Sequence, residues 1–188
     1  MKAWGAGRLA AAAIVVSMIT SAAAAQEQSD NQVTSVSDWS VFMEDNPKEC
    51  WSVSVPKETV NTDSNGRIKA VNRGDILLFV YYRPESEVKG QVTFTGGYPF
   101  ADGSTVNVNI GGTEFEMFTQ NVTNASGESL GWAWPTSASD DARIIAAMKR
   151  GAEALLTARS SRGTVTKDTF SLIGFTAALD EAQSRCGG

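Results

Sequence analysis

From Trp39 onward the apolar residues recur at every second position in short runs, a period that specifies sheet and rules out a helical bundle. Trp39, Val41 and Met43 alternate with Ser40, Phe42 and Glu44. Trp51, Val53 and Val55 alternate with Ser52 and Ser54 until Pro56 ends the run. Asn65-Gly66 marks a turn that returns through residues 67–71, and residues 75–83 hold the unbroken run Ile76 to Tyr82, expected as a central strand buried on both faces. Further strands are predicted at 91–95, 105–110 and 113–118, the last two joined across the hairpin signal Gly111-Gly112. A polar loop at 121–131 then precedes Trp132-Ala133-Trp134-Pro135, and residues 152–159 and 164–172 read as a final antiparallel pair.

Two segments change period. Asp140 and Asp141 precede Ile144, Ile145 and Met148, with Lys149, Arg150 and Gly151 behind them, an acidic start and basic end that suit a short helix and its dipole. Residues 175–185 read as a closing helix. The fold class that follows is mainly β, an immunoglobulin-like β-sandwich with two short α-helices in the C-terminal half.

The chain opens with Lys2 and Arg8, an apolar run from Leu9 to Thr20, and the small residues Ser21 to Ala25. This is the three-part pattern of a secretory signal peptide, with cleavage expected after Ala25. A retained anchor is the alternative, but the run is too short and too rich in alanine to span a bilayer. Without a twin-arginine pair or a cysteine beside the cleavage region, the general secretory route is expected, with no lipid anchor and no membrane span after cleavage. The expected organisation is a signal peptide at 1–25, a flexible leader at 26–37 and one domain at 38–188. The chain carries a net charge of −5, and losing Lys2 and Arg8 makes it more acidic, which gives no support for nucleic-acid binding. Cys50 and Cys186 are the only cysteines. In an oxidising compartment they are expected as a disulfide rather than as free thiols. It would close a loop spanning most of the domain, worth about 5 kcal/mol by chain entropy.

No histidine occurs, which removes the commonest general base and metal ligand. Ser-His-Asp and Cys-His catalysis are thereby excluded. Ser54-Val55-Pro56-Lys57 imitates a Ser-x-x-Lys nucleophile pair, but Pro56 in a strand-like run denies it the helix such a pair requires. The stretch from Asn61 to Ile68 imitates the start of a calcium loop, yet its twelfth position is Asn72 in place of a bidentate glutamate, and a hairpin connection is the simpler reading. Glu114 and Glu116 share the wet face of a strand. No catalytic residue, cofactor or metal site is expected. The aromatic group Tyr98, Phe100, Trp132 and Trp134 has two readings: a recognition platform, or core filling beneath a long loop, of which the second is preferred because aromatics supply much of any small core.

Asp38-Trp39-Ser40-Val41, the string Asp141 to Gly151 (DARIIAAMKRG), and above all Phe170 to Leu179 (FSLIGFTAAL) resemble the invasion-associated locus B family of exported alphaproteobacterial proteins. The resemblance runs from about Trp39 to Cys186. It implies a β-sandwich and a non-enzymatic envelope or secreted protein, named for a role in host-cell invasion although members occur in free-living bacteria. Longer members carry a cysteine-containing motif where this chain has Gly131-Trp132-Ala133-Trp134-Pro135, a departure that bears on any shared partner surface. The functional expectation is an exported accessory protein of the periplasm or cell envelope, or a secreted one, that binds an envelope or host protein. The alternative is a periplasmic small-ligand module with an aromatic-lined pocket. Neither the partner nor the oligomeric state is readable from the residues.

Overall fold

The computed structural model describes residues 31–186. The expected cleavage after Ala25 and the start of the expected leader lie outside them. The fold is mainly β with two helices, as the alternation predicts. Its strands are β1 (Gln32–Val36), β2 (Trp39–Asp45), β3 (Lys48–Ser54), β4 (Glu58–Thr62), β5 (Leu77–Arg83), β6 (Val88–Thr95), β7 (Thr105–Ile110), β8 (Thr113–Thr123), β9 (Ser129–Trp134), β10 (Glu153–Arg159) and β11 (Val165–Ser171). The helices are α1 (Ala138–Met148) and α2 (Phe175–Cys186). Neither is long and apolar enough to cross a membrane.

The eleven strands form one antiparallel sheet in the order β1-β2-β3-β5-β6-β9-β8-β7-β10-β11-β4. That sheet folds over on itself. Phe94 on β6 and Phe170 on β11 are five strand positions apart, about 24 Å in a flat sheet, yet their rings meet edge to face at 6.1 Å. The two layers stay hydrogen-bonded through β8, whose first half pairs with β7 and whose second half pairs with β9, the change falling at Phe118. On the opposite side Trp39 Nε1 donates to the Ser171 carbonyl at 3.0 Å, and Lys57 pairs with Asp38 at 2.5 Å. One core fills the space between, including Val41, Leu78, Val80, Phe94, Phe100, Met117, Leu156 and Phe170, all at most 2% exposed.

Both helices close this core. Ser137 caps α1 by accepting from the Asp140 amide at 3.2 Å, and Asp141 on its inner side accepts the Val92 amide at 2.8 Å. Helix α2 buries Phe175, Ala178, Leu179, Ala182 and Cys186, a spacing that keeps all five on one stripe. Gly174 (φ +88°) makes its entry turn, and a Cβ there would lie 2.2 Å from the Val36 carbonyl oxygen. The far end of α2 is fastened by the disulfide Cys50–Cys186, Cα atoms 5.8 Å apart.

Four local expectations differ from the structure. Residues 32–36, placed in the flexible leader, form β1, because pairing with β2 satisfies their backbone. The return strand expected at 67–71 is irregular apart from a single bridge at Ile68, and the partner of β11 is instead β4 at 58–62. Strand β8 runs on to Thr123, so the polar loop before Trp132 shrinks to a tight turn around Asn124, whose side-chain oxygen accepts the amides of Ser126 and Glu128. The run 76–82 is buried on both faces only at its centre: Leu78, Val80 and Tyr82 point inward and Phe79 is 7% exposed on the opposite face, while Leu77 and Tyr81 on that outer face are half-buried.

Candidate functional site

The period-two rule sends alternate side chains of each strand to opposite faces, and on β3 the outcome is inverted in hydrophobicity. Cys50, Ser52 and Ser54 are buried, whereas Trp51 and Val53 are half-buried on the outer face. Cys50 must face inward to reach Cys186, so Trp51 must face out. Its neighbours follow the same geometry. Phe42 of β2 stands directly across from Trp51, and Tyr81 of β5 stands across on the other side. The ring centroids of Phe42 and Trp51 are 5.6 Å apart, of Trp51 and Tyr81 5.9 Å, of Tyr81 and Phe79 5.2 Å, and of Phe79 and Trp132 6.1 Å. The last contact crosses β6, whose outward Thr93 and Thr95 are small and buried. Trp134 continues the same face of β9 and meets Phe118 edge to face at 4.9 Å; Phe118 itself is 41% exposed.

This row of rings is polar only at its rim. The Arg83 guanidinium lies 4.4 Å from the Tyr81 ring centre and pairs with Glu49 at 3.1 Å. Burial pushes the Tyr81 hydroxyl up to about 12, so it remains a neutral donor at any physiological pH.

The four aromatics singled out from the sequence separate. Trp132 and Trp134 are half-buried on the outer face, so core filling is not their role. Phe100 is 0% exposed and takes that role, which removes it from any binding surface. A Cβ at residue 131 would sit 2.5 Å from the Phe100 ring, which is why glycine stands there. Tyr98 belongs to a different place, the floor of a cleft of about 600 Å³ at one end of the sandwich. An aromatic-lined pocket formed by all four residues is therefore not present: among them Tyr98 alone lines this cleft.

The cleft is bounded by the irregular segment 69–74, the Tyr98 turn and the β10–β11 turn. Segment and turn cross at Gly74 and Gly97, where the Gly74 amide donates to the Gly97 carbonyl at 2.9 Å. A Cβ on Gly97 (φ +73°) would lie 2.4 Å from the Gly74 oxygen, so only glycine permits the crossing. Beneath it Arg73, with 6% of its side chain exposed, holds the fully buried Asp168 through two hydrogen bonds of 2.7 and 2.6 Å. Arg73 also donates to the Gly96 carbonyl and to Asn61 Oδ1, and its guanidinium lies 5.0 Å from the Tyr98 ring centre. Burial pushes the Asp168 carboxyl above the usual carboxylate range, against the pull of Arg73. The Tyr98 hydroxyl, raised to about 12 by burial, shares a 2.5 Å hydrogen bond with Thr166.

A family model for invasion associated locus B (IalB) protein matches residues 39–183. The chain belongs to the invasion associated locus B family. The match to IalB runs from the first residue of β2 into α2 and so takes in every ring of the outer row and every side of the cleft. The IalB-family chain is also similar to the crystal structure of invasion associated protein b from Bartonella henselae, at 14% identity and a TM-score of 0.48, over 78% of this chain and 92% of that one. No curated protein matches the sequence. Proteins of the IalB family are exported.

Sequence reasoning missed Phe42, Trp51, Phe79 and Tyr81 as site residues. The signal was present at Cys50: a cysteine buried in a disulfide shares its face with Ser52 and Ser54 and puts Trp51 on the other. The Arg73–Asp168 pair left no such trace, because nothing local connects two residues from an irregular segment and a distant strand.

Proposed function

We propose that this IalB-family chain is an exported, non-catalytic accessory protein of the bacterial periplasm or cell envelope that acts by binding a partner protein through its outer aromatic face. The observation that carries the reading is the unbroken row Phe42, Trp51, Tyr81, Phe79 and Trp132 on the side of the sheet away from the core. Phe79 is buried beneath its neighbours, and the half-buried Phe42, Trp51, Tyr81 and Trp132 supply the rigid, amphipathic contact area; tryptophan and tyrosine with an arginine at the rim are the residue types that dominate protein interfaces. The N-terminal charged, apolar and small-residue pattern supports export, and the disulfide suits an oxidising compartment. Absence of catalysis rests on the sequence, which lacks histidine, and on the two carboxyls that burial perturbs upward: Asp141 is engaged by the Val92 amide and Asp168 by Arg73, each in a structural role.

The test uses the protein exported by a bacterial host from its own signal. Intact mass should begin at Gln26 and drop no thiol signal on alkylation without reductant. Replacing Trp51, Tyr81 and Trp132 together by alanine should abolish capture of an envelope protein by in-cell crosslinking while the variant still folds and is exported. Undiminished capture by the folded triple variant contradicts the proposal.

A further inference from the structure

The end cleft differs from the aromatic face in chemistry. Its wall residues Lys69, Ser161, Arg162 and Thr164 are polar, and Arg73 with Tyr98 forms its floor. Arg73 is neutralised by Asp168, and the one other carboxylate on the wall is Glu128. Among the described residues, neither Lys69 nor Arg162 makes an ion pair with a carboxylate within 4.0 Å. Lys69 Nζ instead approaches the Thr164 hydroxyl at 3.5 Å. Two cations without a contact ion pair thus share the recess with one carboxylate, Lys69 also acting at longer range on Asp63 outside the cleft lining, in a chain whose net charge is −5.

We propose that this cleft binds a small molecule bearing an oxyanion, a carboxylate or a phosphate, held between Lys69 and Arg162 with the Tyr98–Arg73 floor beneath it. A volume of about 600 Å³ suits a small organic molecule. Pairing one anionic group with two cations restores local balance, and the planar Arg162 fork matches carboxylate and phosphate oxygens alike. The walls are set before any ligand arrives, because the Gly74–Gly97 crossing and the buried Arg73–Asp168 pair fix segment 69–74 against the sheet. This site is separate from the aromatic face, and either can stand without the other.

The experiment is a nuclear magnetic resonance titration of the isotope-labelled chain from Gln26, disulfide intact, with inorganic phosphate, with succinate and with neutral glucose. The expected result is saturable shifts of the amides at 69–74, 97–98 and 160–164 with at least one anion and none with glucose. Binding should weaken at least about tenfold in Lys69→Gln/Arg162→Gln, a loss of about 1.4 kcal/mol, and persist in the charge-preserving Lys69→Arg/Arg162→Lys. Both side chains belong to exposed residues, so neither variant should disturb the fold. Phosphate alone or succinate alone producing the shifts identifies which oxyanion the site takes. No saturable shift with either anion, equal shifts with glucose, or wild-type affinity in the glutamine variant overturns the proposal.

Discussion

The two outer faces of the folded sheet obey the same period-two rule and come out opposite. On the layer of β2, β3, β5, β6 and β9 the outward positions include Phe42, Trp51, Phe79, Tyr81, Trp132 and Trp134, beside polar residues such as Ser40, Glu49 and Thr93. On the layer of β7, β10 and β11, with the first half of β8, they are residues such as Thr105, Asn107, Glu114, Glu116, Arg159 and Lys167. Both layers cover one core, so the fold makes the same demand of each. The polar layer meets that demand with Phe118, at its junction with β9, as its one outward aromatic among the described residues. The aromatic layer carries more outward rings than its partner layer uses to cover the same core, and the proposed partner binding would account for them.

That contrast predicts an ordering of effects, and it breaks if outward substitutions prove as costly as inward ones. Reducing the Cys50–Cys186 bond frees the end of α2 from the inner side of β3 and should destabilise the chain by up to about 5 kcal/mol, read from denaturant midpoints with and without reductant. Inside the fold, Phe94→Ala empties a fully buried site and should cost about 3–5 kcal/mol. Asp168→Asn, which leaves the Arg73 charge buried without its carboxylate, belongs in the same range of about 3–5 kcal/mol. Outside, Trp51→Ala removes a half-buried ring and should cost well under half the Phe94→Ala value in the same assay while reducing partner capture. Ser52→Ala sharpens the contrast from within: the buried Ser52 hydroxyl has no hydrogen-bond partner, so its removal should be neutral or stabilising by about 1 kcal/mol.

A further effect depends on pH. Burial raises the Asp141 carboxyl from 3.8 to about 6. The native state then holds this proton where the unfolded chain has released it, so the contribution of Asp141 to stability is present below the ordinary carboxylate pKa and is lost as pH rises through about 6. Asp141→Asn can still accept the Val92 amide but does not titrate. The stability difference between wild type and this variant should therefore shift in favour of the variant between about pH 4 and pH 7, measured as paired urea midpoints. A pH-independent difference would remove Asp141 as the titrating group.

Most strands and both helices were legible because periodicity and capping are local. Asp140 and Asp141 at one end and Lys149 and Arg150 at the other announce α1, and Gly111-Gly112 announces the β7–β8 hairpin. The cysteine pair was legible from composition and compartment. Strands β1 and β4 were not, since each is a short, polar edge strand whose hydrogen bonds come from a partner that no local pattern names. The aromatic row was half legible: Trp132 and Trp134 stood out by spacing, but their direction depends on the strand register, which the Phe94–Ala133 pairing sets. The cleft was invisible, because it is made by Gly74 crossing Gly97 and by Arg73 reaching Asp168.

The most direct measurement places a photo-crosslinking amino acid, one position at a time, at residues 51, 81 and 132 on the aromatic face and at residues 107, 116 and 167 on the polar face, in protein exported by its native host. The account predicts that the same protein partner is captured from all three aromatic-face positions and from none of the polar-face positions. Capture of that partner equally from both faces, or from the polar face alone, would contradict it.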